Sequence, residues 1–232
     1  MIEAHNWPTS NGRKLFIMLE ETGLPYTIHP VSIRKGDQFK PEFLKISPNN
    51  KIPAIIDTDG PGSKPISIFE SGAILIYLAH KAKSPLFPTD ARQYKVLSWL
   101  FMQVGHVGPT FGQVNHFRDR APEGGSDYAL QRFTKETGRV YGVLDRRLGE
   151  AEYLADEYSI ADIAVFPWIQ GHEKQGMRLS DFPNVKRWFR AIRERPAVQK
   201  ALTVMADQRT TNVPLTEAEK SVMFGDQQYQ KR

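Results

Sequence analysis

The stretch from Ile46 to Asp57 reads ISPNNKIPAIID and places a turn directly before a buried strand. Residues 47–50, Ser-Pro-Asn-Asn, are typical of a turn, and the apolar run that follows them is typical of a strand. Pro53 stands near the beginning of that strand, where a proline is tolerated only at an edge, at a strand start or with a special peptide bond. This proline-initiated strand decides how the surrounding segments are interpreted.

The segments around this stretch alternate between strand and helix patterns. Their β-branched and apolar residues predict strands over residues 2–6, 26–33, 51–57 and 65–69. Apolar spacing, capping residues and Pro41 predict three helices: one capped by Thr9, Ser10 or Asn11 that stops at Gly23, one over 41–46 and one from Glu70-Ser71 onward. The predicted order of elements is βαβαββα.

The pattern changes after residue 84. Residues 85–92 carry two prolines and several polar residues, which is typical of a linker. Helical periodicity follows over residues 94–107, 128–148 and 185–192, and Ser159 with Asp162 predicts a capping box at a further helix start. We therefore expect an α/β domain over 1–84, a linker over 85–92, an all-helical domain over 93–206 and a polar tail over 207–232, with one weak helix at 216–223.

Composition narrows the class of protein. The 232 residues are 40% hydrophobic and 25% charged, which excludes a disordered or fibrous chain. There is no cysteine, so disulfide frameworks, cysteine-ligated metals and nucleophilic protein thiols are excluded. The six histidines show no metal-ligand spacing, so no metal is expected.

Charge and hydropathy argue against nucleic-acid and membrane partners. The net charge is +5, and residues 1–84 carry ten basic and eight acidic side chains, a balance too even for a nucleic-acid-binding arm. The start of the chain lacks the pattern of a secretory signal. The longest uncharged stretch, residues 96–117, contains polar side chains and three glycines, so we expect a buried helix and turn in a cytoplasmic protein.

The complete pattern resembles a known family. The stretches PTSNG at 8–12, ISPNNKIPAI at 46–55, FESGAI at 69–74 and YSIAD at 158–162 are similar to those of cytosolic glutathione transferases, in the nu class and the branch of the yeast nitrogen regulator. The resemblance runs from residue 1 to about residue 205 and leaves the tail unmatched. It implies a thioredoxin-like domain followed by an all-helical domain, and glutathione as co-substrate without a metal.

Glu70 and Ser71 are predicted to hold one end of that tripeptide. A carboxylate just before a helix start places an acceptor for an ammonium group beside exposed backbone N–H groups. Glu70 could bind the α-ammonium of the γ-glutamyl residue, and Ser71 its α-carboxylate. The alternative is that Ser71 only caps the helix.

The resemblance also implies a cis bond between Ile52 and Pro53. In that arrangement Ile52 presents its backbone to the cysteinyl part of glutathione like an added strand. Lys51 and Gln38 are implied as further ligand contacts. Two alternatives stay open: Pro53 only blunts an edge strand, and Lys51 is only solvated.

The thiol of glutathione must be activated, because a pKa of about 8.5 leaves only a few per cent thiolate at neutral pH. Thr9, Ser10 and Asn11 lie where the first strand meets the first helix, and hydrogen bonds there would lower that pKa. The tyrosine that serves several other classes is missing, and Trp7 stands in its region. The resemblance assigns Thr9 and Asn11 to the sulfur; the alternative is that this group only caps the helix.

Residues of the helical domain complete the expected site. Arg132, in a Gln-Arg-Phe setting, resembles an arginine that reaches over the thiol and is expected to assist a second glutathione. Spacing along the first long helix also suggests a pocket for a second substrate, although such stripes are more often core. Its candidate residues are Trp99, Met102, Gln103, His106 and Phe111.

Three functions follow as hypotheses. The first is glutathione-dependent reduction of disulfides, with the reacting thiol supplied by glutathione because the chain has no cysteine. The second is conjugation of glutathione to apolar electrophiles, or reduction of hydroperoxides, at the same site. The third is a non-catalytic binding or regulatory module; we expect no Asn-rich extension like that of the yeast regulator, which argues against the same regulatory role. The resemblance further implies a homodimer.

Overall fold

The structure is a computed structural model that describes residues 1–121, 127–208 and 213–230. The chain divides into two compact units. One contains Met1–Tyr77 together with Lys200–Arg232, and the other contains Leu78–Gln199. The polar tail therefore belongs to the same unit as the α/β elements. The domain limits proposed from the sequence, at residues 84, 92 and 206, remain predictions.

A four-stranded sheet with the order β2-β1-β3-β4 forms the centre of the first unit. Its strands are β1 Ile2–Asn6, β2 Tyr26–Pro30, β3 Ala54–Asp57 and β4 Ile66–Phe69. β1 pairs in parallel with β2 and antiparallel with β3, and β3 pairs antiparallel with β4. Three helices lie between or after the strands: α1 Ser10–Thr22, α2 Pro41–Leu44 and α3 Ser71–Lys81. The predicted βαβαββα order is confirmed.

Alternation along β1 explains where the core lies. Ile2, Ala4 and Asn6 are buried, because successive side chains of a strand point to opposite faces of the sheet. The residues of α1 from Leu15 to Leu19 are also buried. The parallel pair of β1 and β2 needs a crossover, and α1 provides it.

The third strand starts later than the sequence pattern suggests. It was predicted from Lys51 and begins at Ala54. Pro53 lacks the N–H that a ladder requires, so regular pairing starts after it. The Ile52–Pro53 peptide bond is cis, as the resemblance implied. β3 is an inner strand, so Pro53 marks a strand start rather than an edge.

The second unit is helical, with no helix in the described ranges long and apolar enough to cross a membrane. Its helices are α4 Arg92–Met102, α5 Gly108–Asp119, α6 Asp127–Glu150, α7 Ile160–Ile169 and α8 Pro183–Arg193, and α9 Pro196–Thr203 starts within it. The predicted helix over 94–107 changes to a π-helical turn at Gln103–Val107. α9 was not predicted, because its eight residues give only Val198 and Ala201 as buried apolar positions.

The predicted capping box is present at the start of α7. Asp162 is fully buried; one oxygen accepts from Ser159 N at 3.0 Å, and the other from Leu154 N at 3.0 Å and from Trp188 Nε1 at 2.8 Å. Burial raises the pKa of Asp162 to about 6, although these hydrogen bonds oppose the rise. This carboxylate links three parts of the helical unit.

Candidate active site

One cavity of the first unit, of about 350 Å³, contains the polar residues singled out from the sequence. This volume lies within the usual range for a small-molecule site. Eight lining residues are those that the resemblance assigned to glutathione: Thr9, Asn11, Gln38, Lys51, Ile52, Pro53, Glu70 and Ser71. The fold thus brings together four segments that are far apart in the sequence.

Thr9 is the N-cap of α1 and faces this cavity. Its Oγ1 accepts a hydrogen bond from Gly12 N at 3.1 Å, so the capping function predicted as an alternative is real. Capping uses a lone pair of the hydroxyl and leaves its proton to donate elsewhere. Thr9 can therefore cap the helix and donate to a ligand atom at the same time.

Gly12 fixes the shape of this turn. A Cβ atom at this position would lie 1.8 Å from the carbonyl oxygen of Trp7, far inside contact distance. Asn6 Nδ2 donates to Gly12 O at 2.8 Å and ties the turn to the end of β1. The close approach of two backbone segments requires glycine here.

Glu70 and Ser71 form a second wall at the start of α3. Glu70 has φ +70°, in the left-handed region that non-glycine residues seldom adopt, and its side chain is exposed. Backbone strain of this kind is found at ligand-binding positions. The Glu70 carbonyl accepts from Ile74 N at 3.0 Å, which starts the helix.

Lys14 is a residue of the site that sequence analysis missed. Its Nζ donates to Ser71 Oγ at 3.1 Å from within α1, and the residue is 2% exposed. Burial lowers the pKa of this ammonium to about 7, opposed by the nearby Glu70 carboxylate. The available signal in the sequence was a lysine directly before the apolar run of residues 15–19, which α1 buries.

Unsatisfied polar groups line the middle of the cavity. The backbone N–H and C=O of Ile52 make no hydrogen bond within the part of the chain that the structure describes. Gln38 is buried; its Nε2 donates to Ile33 O at 3.3 Å, and its Oε1 has no partner among the described residues. Buried orphan acceptors are costly, so a ligand N–H would be bound favourably.

Lys51 lies at the third wall, next to a residue with φ +46°, Asn50. Ser47 Oγ donates to the Lys51 carbonyl at 2.8 Å and fixes this loop. The Lys51 ammonium donates to Gln228 Oε1 at 3.3 Å, and desolvation lowers its pKa. Gln228 was not singled out from the sequence, because the tail matched no known pattern.

The helical unit places the remaining candidates differently. Arg132 is exposed on α6, and its assignment as a catalytic residue remains a prediction. Phe111 is fully buried and stacks on Tyr141 with ring centroids 5.1 Å apart, and Gln103 is 1% exposed. Their burial favours the alternative that this stripe is core.

The other three residues of that stripe are less deeply buried, and two of them line a shallow cavity in the helical unit. Met102 and His106 line this cavity beside Arg139. His106 Nε2 lies 2.8 Å from a carboxylate oxygen of Glu136, so it already has a partner. Trp99 is half-buried on α4. Their assignment to a second substrate remains a prediction.

Strand register produces a cluster that the linear sequence did not reveal. Glu3, His5 and His29 have their ligand atoms within 4.8 Å of one another, because His5 pairs with His29 across β1 and β2. Glu3 Oε2 and His5 Nε2 are 4.0 Å apart. Ligand atoms around a tetrahedral zinc ion lie about 3.4 Å apart, so these side chains would have to move to share an ion.

Comparisons with known proteins agree with this geometry. The N-terminal domain model of glutathione S-transferases matches residues 10–81, and the C-terminal domain model matches residues 109–196. The disulfide-bond oxidoreductase YfcG of Escherichia coli K12 is 48% identical over 204 residues, which are 87% of this chain and 94% of YfcG.

Two solved structures are similarly close. A glutathione transferase family member from Pseudomonas fluorescens Pf-5, with two glutathione bound, is 46% identical with a TM-score of 0.80, covering 87% of this chain and 92% of the other. A glutathione transferase from Pseudomonas putida, with one glutathione disulfide bound per subunit, is 45% identical with a TM-score of 0.82, covering 88% and 91%. The chain belongs to the glutathione S-transferase family.

Proposed function

We propose that this protein is a glutathione-dependent disulfide-bond reductase. The observation that carries the proposal is the cavity of the first unit, which gathers the eight residues of that unit assigned to glutathione. The sequence has no cysteine, so the reacting sulfur must come from the ligand. The names of YfcG and of a second relative, YghU of the same organism, at 37% identity, describe disulfide-bond oxidoreductases.

The tripeptide would lie across the three walls. Glu70 and Ser71 would hold the α-ammonium and α-carboxylate of the γ-glutamyl residue at the start of α3. Ile52 would pair with the cysteinyl backbone, and the orphan Oε1 of Gln38 would accept a ligand N–H. Lys51 would bind the glycyl carboxylate at the opposite wall.

The start of α1 would stabilise the thiolate. The Thr9 hydroxyl is held by its capping bond and can donate its proton to sulfur. Asn11, two residues further on, lines the same cavity. Hydrogen bonds to the charged form and the helix N-terminus both lower a thiol pKa, so the bound sulfur would be ionised near neutral pH.

The reaction is a thiol–disulfide exchange. The bound thiolate attacks the glutathione sulfur of a mixed disulfide, a new sulfur–sulfur bond forms, and the other thiol leaves as a thiolate that takes a proton from water. This step joins the attacking glutathione to the one in the mixed disulfide and releases the substrate sulfur, now reduced, as a thiol. A symmetrical disulfide needs one earlier exchange of the same kind. We assign Arg132 to the second glutathione.

The decisive experiment compares two reactions of the full-length protein. Reduction of hydroxyethyl disulfide, coupled to glutathione reductase and NADPH, is expected to turn over much faster than conjugation of 1-chloro-2,4-dinitrobenzene. Fast conjugation with negligible disulfide reduction would instead support a transferase of apolar electrophiles. Binding of glutathione without either reaction, or with peroxide reduction alone, would also contradict the proposal.

Two further properties belong to this proposal through family membership. We expect a homodimer, because that assembly is common among relatives, and a cytoplasmic location, where reduced glutathione is abundant. Sedimentation velocity at working concentration tests the first: a single monomeric species would contradict it. Fractionation of the source cells tests the second.

A further inference from the structure

The segment of residues 213–230, called here the C-terminal segment, packs on the first unit. It contains α10 Glu217–Phe224, which starts with a capping box between Thr216 and Glu219 and ends at Gly225. A short 3₁₀ turn, Asp226–Tyr229, follows. The segment lay outside the family resemblance, so nothing in the sequence assigned it a role.

Arg34 attaches the C-terminal segment to the loop after β2. Its guanidinium lies 3.4 Å from Glu219 Oε1 and donates to Val213 O at 3.0 Å. Gly36 in the same loop has φ +83°, and a Cβ there would lie 3.5 Å from Val222 Cγ1. Arg34 therefore holds the start of α10 against this loop, and Gly36 lies close to Val222 near the other end of the helix.

The inner face of the segment lines the glutathione cavity. Met223, Phe224 and Gln228 line this cavity, and the proposed mechanism gives none of them a role. Gln228 is fixed at both ends of its amide: Nε2 donates to Val222 O at 3.0 Å, and Oε1 accepts from Lys51 Nζ at 3.3 Å. The amide therefore holds the Lys51 ammonium from within the segment.

The chemistry of that contact is specific. An ammonium has three donors, and Gln228 takes one of them, which leaves two for a ligand. A carboxylate in the same place would neutralise the charge of Lys51, whereas a neutral amide orients the ammonium and preserves its charge. The described residues give Lys51 no carboxylate partner. Its full charge is available to an anionic ligand group.

We propose that Gln228 is a positioning residue for Lys51 and that the C-terminal segment makes the site selective for peptides with a free carboxylate at the glycine end. This inference rests on the proposed function, in which Lys51 binds the glycyl carboxylate. Glutathione satisfies the requirement. Derivatives amidated or esterified at glycine do not.

The test compares two variants, each of which adds one negative charge at one of two neighbouring positions. Gln228→Glu places a carboxylate on Lys51, and Gln227→Glu places the same charge one residue away on an exposed position. Calorimetry would measure the binding of glutathione and of glutathione monoethyl ester, esterified at glycine, to the full-length proteins. Matching thermal midpoints would establish that both variants are folded.

Gln228→Glu is expected to weaken glutathione binding about tenfold relative to Gln227→Glu, because a charge-assisted hydrogen bond is lost at a partly exposed site. Ester binding should change less than twofold, since the ester lacks the group that Lys51 recognises. Equal weakening of both ligands, or no difference between the variants, would overturn the inference. A wild-type protein that binds neither ligand would refute the proposed function instead.

A second matched pair of variants tests whether attachment of the C-terminal segment to the loop after β2 affects ligand binding in the cavity. Glu219→Gln removes the ion pair to Arg34 and keeps an acceptor for the capping box, whereas Glu217→Gln alters an exposed residue that pairs within α10 with Lys220. Stopped-flow displacement should show glutathione leaving severalfold faster from the Glu219 variant and at the wild-type rate from the Glu217 variant. Equal rates in both variants would show that the segment does not retain the ligand.

Discussion

The helices α7 and α1 both start with a side chain that caps the backbone, but the first cap stabilises the fold and the second faces a cavity. At α7 the acceptor oxygens of Asp162 are taken up inside the protein, by Ser159, Leu154 and Trp188. At α1 the Thr9 hydroxyl accepts one bond from Gly12 and faces a cavity. A helix start that satisfies its own polar groups stabilises the fold, and one that leaves a donor facing a cavity can bind a ligand.

The start of α3 follows the second pattern. Ser71 receives a hydrogen bond from buried Lys14 on its inner side and lines the cavity on its outer side. The carboxylate before it, Glu70, is exposed, whereas Asp162 is completely buried. Burial and saturation of the acceptors therefore distinguish a structural helix start from a functional one, which a capping motif alone does not.

The largest expected effect is a loss of stability at the start of α7, where both carboxylate oxygens of Asp162 accept hydrogen bonds inside the protein. Asp162→Ala would leave three buried N–H groups without partners and should lower the free energy of unfolding by about 3–5 kcal/mol. Urea unfolding followed by circular dichroism measures this. Glu150→Ala, an exposed partner of Arg147 in the same unit, should cost no more than about 0.5 kcal/mol. A loss below 1 kcal/mol for Asp162→Ala would refute the comparison.

At α1 the expected loss is in turnover. Thr9→Ala should lower kcat for disulfide reduction about 10–100-fold, because a hydrogen bond to the charged sulfur disappears. The KM for glutathione should change less than about threefold. Thr9→Ser keeps both the cap and the donor and should retain most of the activity. If the serine variant were as slow as the alanine variant, the donor role of the hydroxyl would be wrong.

At α3 the expected loss is in binding. Glu70→Ala should raise the KM for glutathione about tenfold, since one charge-assisted contact to the α-ammonium is removed, and should leave kcat nearly unchanged. Steady-state kinetics at saturating disulfide measure both values. Glu42→Ala, an exposed carboxylate of α2, is the charge-matched control. Equal losses in kcat and KM would contradict the division of roles between Glu70 and Thr9.

The smallest effect concerns the buried ammonium beside Ser71. The pKa of Lys14 is about 7 in the folded protein and about 10.4 when unfolded, so between these values the unfolded chain binds the extra proton. Stability conferred through this group therefore rises with pH in that window. The free energy of unfolding of the wild type, minus that of Lys14→Met, should rise by about 1 kcal/mol from pH 7.5 to 8.5. A pH-independent difference would show that Lys14 stays charged.

Much of the fold followed from the sequence, because its signals are local. The bounds of β1, the stop of α1 at Gly23 and the capping box at Ser159 were predicted correctly, and Thr9 is the N-cap among the three candidates at the start of α1. β3 was predicted too early, since the strand pattern includes Lys51 and Ile52 whereas the ladder starts only after Pro53. Pairing with neighbouring strands, which decides such limits, is not visible in the residues themselves.

The site was predicted less completely. Motifs identified the residues that face the cavity, from Thr9 to Ser71, because their types and order resemble a family. Lys14 was missed because its place in the site depends on its contact with Ser71 in the folded chain. Gln228 was missed because the tail has no counterpart in the resemblance. Both contact a predicted residue over a long sequence separation. Such contacts arise from tertiary packing, which spacing along the chain does not encode.

The close approach at Gly12 affects how mutational surveys of this protein will be interpreted. A Cβ atom there collides with the Trp7 carbonyl oxygen, so every substitution should disturb the loop that carries Thr9 and Asn11. A screen scored by growth or activity alone would rank this glycine among the chemically active positions. Scoring the cellular abundance of each variant in parallel would separate the residue that shapes the loop from those that act on sulfur.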